Sequence, residues 1–163
     1  MVRATPAMPQ ATARRRADRG QGEDPRRSSE IAPGGRSQKM AISVKQVGEA
    51  VQGLRTDLGA GLVACDVWAV TDAVSLGGLD SNPAAIALFN RIADLLSNAL
   101  EEAHFPALNR YFMLDLEGGK MVVVVPAGVI RGGMLIDTTK TPLGMVLAVG
   151  LPHFRAALEQ LGA

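Results

Sequence analysis

The chain has 163 residues and a formal net charge of +1, a length that favours one globular domain with a buried core. Its single cysteine, Cys65, excludes an internal disulfide and suits a reducing compartment. The longest apolar runs, 121–130 and 142–152, contain proline and are far shorter than the ~20 residues that span a bilayer. We therefore expect a soluble, cytoplasmic protein.

The small total charge hides two regions of opposite charge. Residues 1–39 carry nine basic and four acidic side chains and no Leu, Phe, Tyr or Trp, whereas residues 40–163 carry eight basic and twelve acidic ones. A segment so poor in apolar residues cannot offset the entropy cost of ordering it. We predict a disordered basic segment over residues 1–40, or an extension that arises from start-codon choice, and one domain over residues 41–163. Nucleic acid is not an expected partner.

The domain should begin with an amphipathic helix over residues 43–58. Ser43 and Gln46 have the spacing of a capping box, and Gly59 offers a left-handed stop. The run from Gly61 to Leu76 is rich in β-branched residues, which predicts a hairpin that turns near residues 66–69. A loop at Gly77-Gly78 follows it.

A long helix is predicted over residues 83–104, because Asn82-Pro83 combines an N-cap with proline at the first helical position. One apolar seam of this helix should cover the sheet. A second seam beside it makes the apolar arc wider than one sheet face needs. We predict that this second seam packs against an identical helix about a two-fold axis; its members are Ala85, Leu88, Ile92, Leu95 and Ala99.

Three strands should follow the long helix. Gly118-Gly119 between two apolar runs is typical of a tight hairpin turn with positive φ, and four consecutive valines at 122–125 indicate a strand covered on both faces. A last strand is expected around 134–136. The strand at 110–116 comes first and is a candidate sheet edge, so pairing with its own copy would add Tyr111 and Met113 to the dimer interface.

The last helix is predicted from Thr141-Pro142, which repeats the cap-plus-proline start, to Leu161. Because Pro152 cannot bond the carbonyl of Ala148, this helix should kink or split near 150–151. The resulting order is α-β-β-α-β-β-β-α. We predict an α+β fold of three layers, in which a five-stranded antiparallel sheet carries helices on both faces.

Residues that could carry chemistry are scarce. Gly59 to Ala64 match a dinucleotide-binding pattern, but the predicted order of helix and strand around it is reversed. His104 and His153 lack metal-ligand spacing. We therefore predict no enzyme activity, no metal and no cofactor.

A partner contact is predicted around Trp68, the only tryptophan, which we place near the tip of the first hairpin. Arg91, Asp94 and Asn98, on the polar arc of the long helix, complete this candidate surface. The alternative for Trp68 is packing against the sheet edge of its own domain.

The element order, the Gly-Gly hairpin before a valine-rich strand and the Thr-Pro-Leu-Gly helix start at 141–144 resemble the Roadblock / dynein light chain family over residues 43–162. Two features depart from it: the sequence at 66–69 has no glycine for the first hairpin, and Pro152 interrupts the last helix.

The resemblance implies a non-enzymatic homodimer that serves as a platform or scaffold, and as a regulator, for a Ras-like small GTPase, or for motor complexes in eukaryotes. A PAS-like or GAF-like small-molecule sensor is the alternative. Such a sensor needs inward polar anchors, for which Tyr111 and Asp115 are the candidates on the central meander.

Overall fold

A computed structural model describes residues 42–162 of the chain. The segment 1–40, which we predicted to be disordered, lies outside the described residues. The described elements follow the predicted order: α1 Val44–Leu58, β1 Leu62–Ala69, β2 Ser75–Leu79, α2 Pro83–Glu102, β3 Phe112–Leu116, β4 Lys120–Ala127, β5 Ile130–Asp137, α3 Leu143–Met145 and α4 Leu151–Gly162.

The five strands form one antiparallel sheet in the order β2-β1-β5-β4-β3. Helices α1 and α4 pack on one face of this sheet and build the larger hydrophobic core. Helix α2 packs on the other face over a smaller cluster. The predicted three-layer α+β fold is confirmed.

The valine run of β4 is buried on both faces, as predicted. Val123 and Val125 belong to the core under α1 and α4, whereas Val122 and Val124 belong to the cluster under α2. Successive side chains of a strand point to opposite faces, so an uninterrupted apolar run is required only where both faces are covered.

Local signals correctly located several element ends. The Ser43 side chain accepts a hydrogen bond from Gln46 N at 3.5 Å, and Asn82 Oδ1 accepts one from Ala84 N at 3.0 Å. Gly118 and Gly119 have φ angles of 72° and 68° in the β3–β4 turn. These angles are the ones that glycine adopts without steric cost.

The first hairpin turns later than predicted. Strand β1 continues through residues 66–69, and the turn lies at 70–74, where Asp72 Oδ1 accepts a hydrogen bond from Val74 N at 3.2 Å. The expected loop at Gly77-Gly78 is part of β2 instead. A Cβ atom on Gly78 would lie 2.5 Å from the carbonyl oxygen of Cys65, so glycine here permits close pairing with β1.

Strand β5 starts at Ile130, four residues before the predicted strand, and includes Gly132 and Gly133. A Cβ atom on Gly133 would lie 2.8 Å from the Trp68 ring, and one on Gly132 would lie 2.6 Å from the Phe154 ring. Each glycine therefore makes room for a large aromatic side chain on one face of the sheet.

The last helix is split, as predicted. Residues Val146–Gly150 form a π-helical turn in which Leu151 N donates to the carbonyl of Val146, and this wider turn accommodates Pro152. The predicted Thr141 cap is wrong, because its hydroxyl donates to the carbonyl of Leu58 at 2.7 Å. Thr141 therefore ties the end of α1 to the loop before α3.

Asp137 is a buried carboxylate at the end of β5. It accepts hydrogen bonds from Lys120 Nζ at 2.7 Å and from Thr139 N at 3.0 Å. The bond from Lys120, together with those from Thr139, holds the pKa of Asp137 well below its usual range. The contact joins the β3–β4 hairpin to the loop that follows β5.

No helix between residues 42 and 162 is long and apolar enough to cross a membrane.

Candidate interaction surface

Helix α2 leaves several of its apolar side chains exposed. Of its 20 residues only Ile86 and Ala93 are buried, whereas Leu88 and Leu95 are 52% and 57% exposed. The members of the second seam on the side of α2 that faces away from the sheet form what we call the α2 stripe: Leu88, Ile92, Leu95 and Ala99. Ile92 is half-buried and Ala99 is exposed. Large apolar side chains that recur along one exposed helix face mark an interaction surface.

Ala85, the first member of the predicted seam, differs in position from the α2 stripe. It is half-buried and lines a small cavity between α2 and the sheet. Of the five predicted helix positions, Leu88, Leu95 and Ala99 are therefore exposed, whereas Ala85 and Ile92 are half-buried.

Strand β3 is an edge of the described sheet, as the sequence suggested. Its Phe112 packs against the same cluster as Ile86 and Phe89 of α2, so β3 borders the sheet face that α2 covers. The open edge offers backbone N–H and C=O groups to another strand.

The other two residues predicted for the dimer interface lie on the far face of the sheet. Met113 pairs with Val123, which faces α1 and α4, and Tyr111 packs against that same core. Both flank the β3 edge, but neither is on the α2 side. The alternation of β3 instead places Phe112 and Leu114 there.

Trp68 is the second-last residue of β1 and has only 2% of its surface exposed. It lies near the tip of the first hairpin, as predicted, because it pairs with Ser75 directly beyond the turn at 70–74, but its ring is not exposed there. Trp68 packs within its own domain, which was the alternative interpretation, but it does so beneath α2 and not at the sheet edge. A buried ring offers no surface to another protein, so its burial gives the predicted partner role of Trp68 no support.

A polar cluster joins α2 to the sheet and is centred on Asn90. Its Oδ1 accepts from Trp68 Nε1 at 3.0 Å and from Arg131 Nη1 at 2.6 Å, while its Nδ2 donates to the carbonyl of Val70 at 3.1 Å. Arg131 Nη2 also donates to Asp94 Oδ1 at 2.7 Å. We name Trp68, Asn90, Asp94 and Arg131 the Asn90 cluster.

The sequence analysis missed the central residue of this cluster. Asn90 stands four residues after Ile86 and three before Ala93, the two buried positions of α2. A polar residue that lies in helical phase with buried apolar residues must form hydrogen bonds inside the protein. The phase of Asn90 with Ile86 and Ala93 could therefore have identified it from the sequence. Arg131 gave no such signal, because it lies before the strand that was predicted around 134–136.

The remaining predicted partner residues lie on the polar arc of α2. Arg91 and Asn98 are exposed. The Asp94 side chain is 53% exposed and forms the ion pair with Arg131. The arc therefore offers two free side chains and one that already has an internal partner.

Two concave regions accompany these elements. The cavity under α2 has a volume of about 70 Å³ and is lined mainly by apolar side chains, among them Trp68, Ile86, Phe89 and Val122. A groove of about 290 Å³ runs between α1 and α4, with Glu49 among its lining residues.

Reactive groups are sparse in the part of the chain that the structure describes. Residues 42–162 contain no group of three or more His, Cys, Asp or Glu placed to hold a metal ion. Burial raises the pKa of the Cys65 thiol well above its ordinary value, so the thiol stays protonated and weakly nucleophilic at neutral pH.

Comparison with known proteins gives structural matches only. No protein-family model and no curated protein matches the sequence. The gliding protein MglB from Thermus thermophilus superposes with a TM-score of 0.61 at 14% identity, covering 73% of this chain and 90% of that one. An MglB structure with a tetrameric arrangement gives 0.58 at 16% identity, covering 73% and 87%.

A Roadblock/LC7 domain from Streptomyces avermitilis superposes with a TM-score of 0.53 at 13% identity, covering 69% of this chain and 91% of that domain. These structures match nearly their whole length to the described region. Identities this low establish the fold and no more. The chain has the fold of a bacterial Roadblock-type domain.

Proposed function

We propose that this protein is a non-enzymatic, cytoplasmic homodimer that binds a Ras-like small GTPase and regulates it. The α2 stripe is the observation that carries the proposal. Leu88 and Leu95 stand one heptad apart on one face of a 20-residue helix and are both more than half exposed. A second copy of the same helix, crossing about a two-fold axis, would cover both pairs of leucines at once.

The β3 edge supports the same arrangement. Since Phe112 of β3 packs on the cluster under α2, a second protomer that covers α2 would come close to this edge. Antiparallel pairing of β3 with its copy would satisfy the open backbone groups and lengthen the sheet across the interface. Self-association is also part of one similar structure, the MglB with a tetrameric arrangement.

The GTPase follows from the resemblance to the Roadblock family and is the finer part of the proposal. We place its contact on the polar arc of α2, at Arg91 and Asn98, because these side chains are exposed and lie outside the α2 stripe. Both residues flank the α2 stripe, so a dimer built on it would place them at the rim of the interface, where another protein can reach them.

The ligand-sensor alternative has less support. The cavity under α2, at about 70 Å³, is several times smaller than the roughly 300–1,000 Å³ typical of small-molecule pockets, and the groove of about 290 Å³ between α1 and α4 is lined by neither Tyr111 nor Asp115. Tyr111 packs against the core on the opposite face, and Asp115 is an exposed residue of the edge strand. Neither of the two polar anchors that we predicted lines this cavity.

Two measurements test the proposal in order. Sedimentation velocity of the full chain across the micromolar range should show a dimer, and a monomer throughout would overturn the homodimer. Pull-down with the full chain, followed by titration of any recovered small GTPase in its GDP and GTP-analogue forms, tests the partner.

The expected result of the titration is nucleotide-dependent binding that Arg91→Ala with Asn98→Ala weakens. A matched pair on exposed positions of α1, Gln52→Ala with Arg55→Ala, should bind like the wild type. If both pairs bind like the wild type, the partner contact lies elsewhere. Failure of a dimeric protein to bind any GTPase would overturn the regulatory part alone.

A further inference from the structure

Helix α2 is held to the sheet by less apolar burial than the other long helices. It buries two of its 20 residues, whereas α1 buries five of 15 and α4 buries four of 12. The cluster under α2 contains four buried residues, Trp68, Ile86, Val122 and Val124, against twenty in the core under α1 and α4. Because apolar burial is the main stabilising term, α2 is the least stably docked of the three.

The cavity under α2 weakens this docking further. Its lining includes Ala85, Ile86 and Phe89, which belong to the amino-terminal half of the helix. The side chains around a void lack packing partners on one side and lose those dispersion contacts. The amino-terminal half of α2 therefore receives little support from the sheet.

The polar attachments of α2 to the sheet centre on a single residue. Through its side chain Asn90 binds Trp68 of β1, the carbonyl of Val70 in the β1–β2 turn and Arg131 of β5. Arg131 also donates to the main-chain carbonyl of Asn90 at 3.0 Å. One side chain thus connects the middle of α2 to two strands and a turn.

We propose that α2 is a layer that opens from the sheet while α1 and α4 stay packed, and that Asn90 is the positioning residue that sets how often this happens. Opening of α2 would free the carbonyl of Val70 and loosen the 70–74 turn together with the helix. The inference concerns the described domain and does not rest on the proposed homodimer. It goes beyond the proposed function because it assigns a local equilibrium to the helix that carries the candidate surface.

Hydrogen exchange on the full chain tests the inference, with all variants compared at one protein concentration at which sedimentation shows a monomer, so that no second protomer covers α2. In the wild type the amides of α2 should exchange faster than those of α1 and α4. Asn90→Ala leaves Trp68 Nε1 without its acceptor and should speed exchange of α2 and the 70–74 turn by at least about tenfold, with α1 and α4 unchanged.

Glu101→Gln is the matched control, because Glu101 is an exposed polar residue of the same helix outside the proposed partner contact, and this substitution should leave every rate unchanged. Trp68→Phe removes one donor of the Asn90 cluster while keeping an aromatic ring, so it should give a smaller acceleration in the same amides. This second variant decides the question if Asn90→Ala does not fold. Equal wild-type exchange of α1, α2 and α4 would overturn the inference, and so would equal acceleration of all three helices.

Discussion

Replacing Leu88 and Leu95 by aspartate should separate the proposed dimer without unfolding its protomers. Complete burial of a leucine side chain is worth about 1.5–3 kcal/mol. Since Leu88 and Leu95 are 52% and 57% exposed, covering the remainder of each is worth roughly half of that value, or ~0.8–1.5 kcal/mol. Two protomers contribute four such side chains, so the lost burial amounts to roughly 3–6 kcal/mol.

Tenfold in a dissociation constant corresponds to about 1.4 kcal/mol, so the double variant should weaken the dimer by at least ~100-fold. Burial of the new carboxylates would add to this loss. Sedimentation velocity at micromolar concentration measures the effect directly. The melting temperature of the monomer should change little, because both leucines point away from the buried face of α2.

The control is a pair of aspartates at exposed positions of the same helix outside the α2 stripe, Ala87→Asp with Asn98→Asp. It adds the same charge and should remain dimeric. Two results would refute the reasoning. A Leu88→Asp, Leu95→Asp protein that stays dimeric would show that the α2 stripe is not the interface, and a large loss of stability in this variant would show that the leucines pack within their own domain.

Three further predictions concern the domain itself. Gly133→Ala should destabilise it by roughly 1–3 kcal/mol, measured by denaturant unfolding, because the added Cβ would lie 2.8 Å from the Trp68 ring; unchanged stability would contradict the close packing. The pKa of Asp137 is lowered in the folded state by the hydrogen bond from Lys120, so its stabilising contribution is present above the unfolded-state pKa and lost as the pH falls through the lower folded-state pKa. Asp137→Asn should therefore lower the free energy of unfolding at neutral pH and make it fall less steeply as the pH is lowered. If the free energy of unfolding of the variant falls as steeply in acid as that of the wild type, groups other than Asp137 cause the acid destabilisation. A shortened chain that begins at Met40 contains the whole described domain and should match the full chain in melting temperature and sedimentation; a lower melting temperature would show that the preceding residues contribute to stability.

The sequence determined the elements whose signals are local. Three such signals depend only on neighbouring residues or on the burial of a single strand. They are the N-cap and proline at 82–83, the glycine pair at 118–119 and the run of four valines. The structure confirmed all three, together with the order of helices and strands that these signals define. The surplus of apolar residues on α2 was equally visible, because helical periodicity places them on one face.

Tertiary structure decided the features that depend on a distant partner. The turn of the first hairpin lies beyond 66–69 because Trp68 belongs under α2, where it meets Asn90. Gly132 and Gly133 lie inside β5 because Phe154 and Trp68, far away in sequence, need the space above them. A glycine-rich stretch read alone suggests a turn, and only the shape of the opposing side chains makes it a strand.

The residues of the candidate surface also fall into two groups, those predicted from local sequence patterns and those that depend on distant partners. Helix periodicity predicted Leu88, Ile92, Leu95 and Ala99, since an outward position requires no knowledge of what lies beneath the helix. Tyr111 and Met113 were assigned without knowing which face of the sheet carries α2, and strand alternation placed them on the other one. Asn90 acquires its role only when β1, β5 and the 70–74 turn converge on it, because a hydrogen-bonding side chain is defined by partners that the fold alone brings within reach.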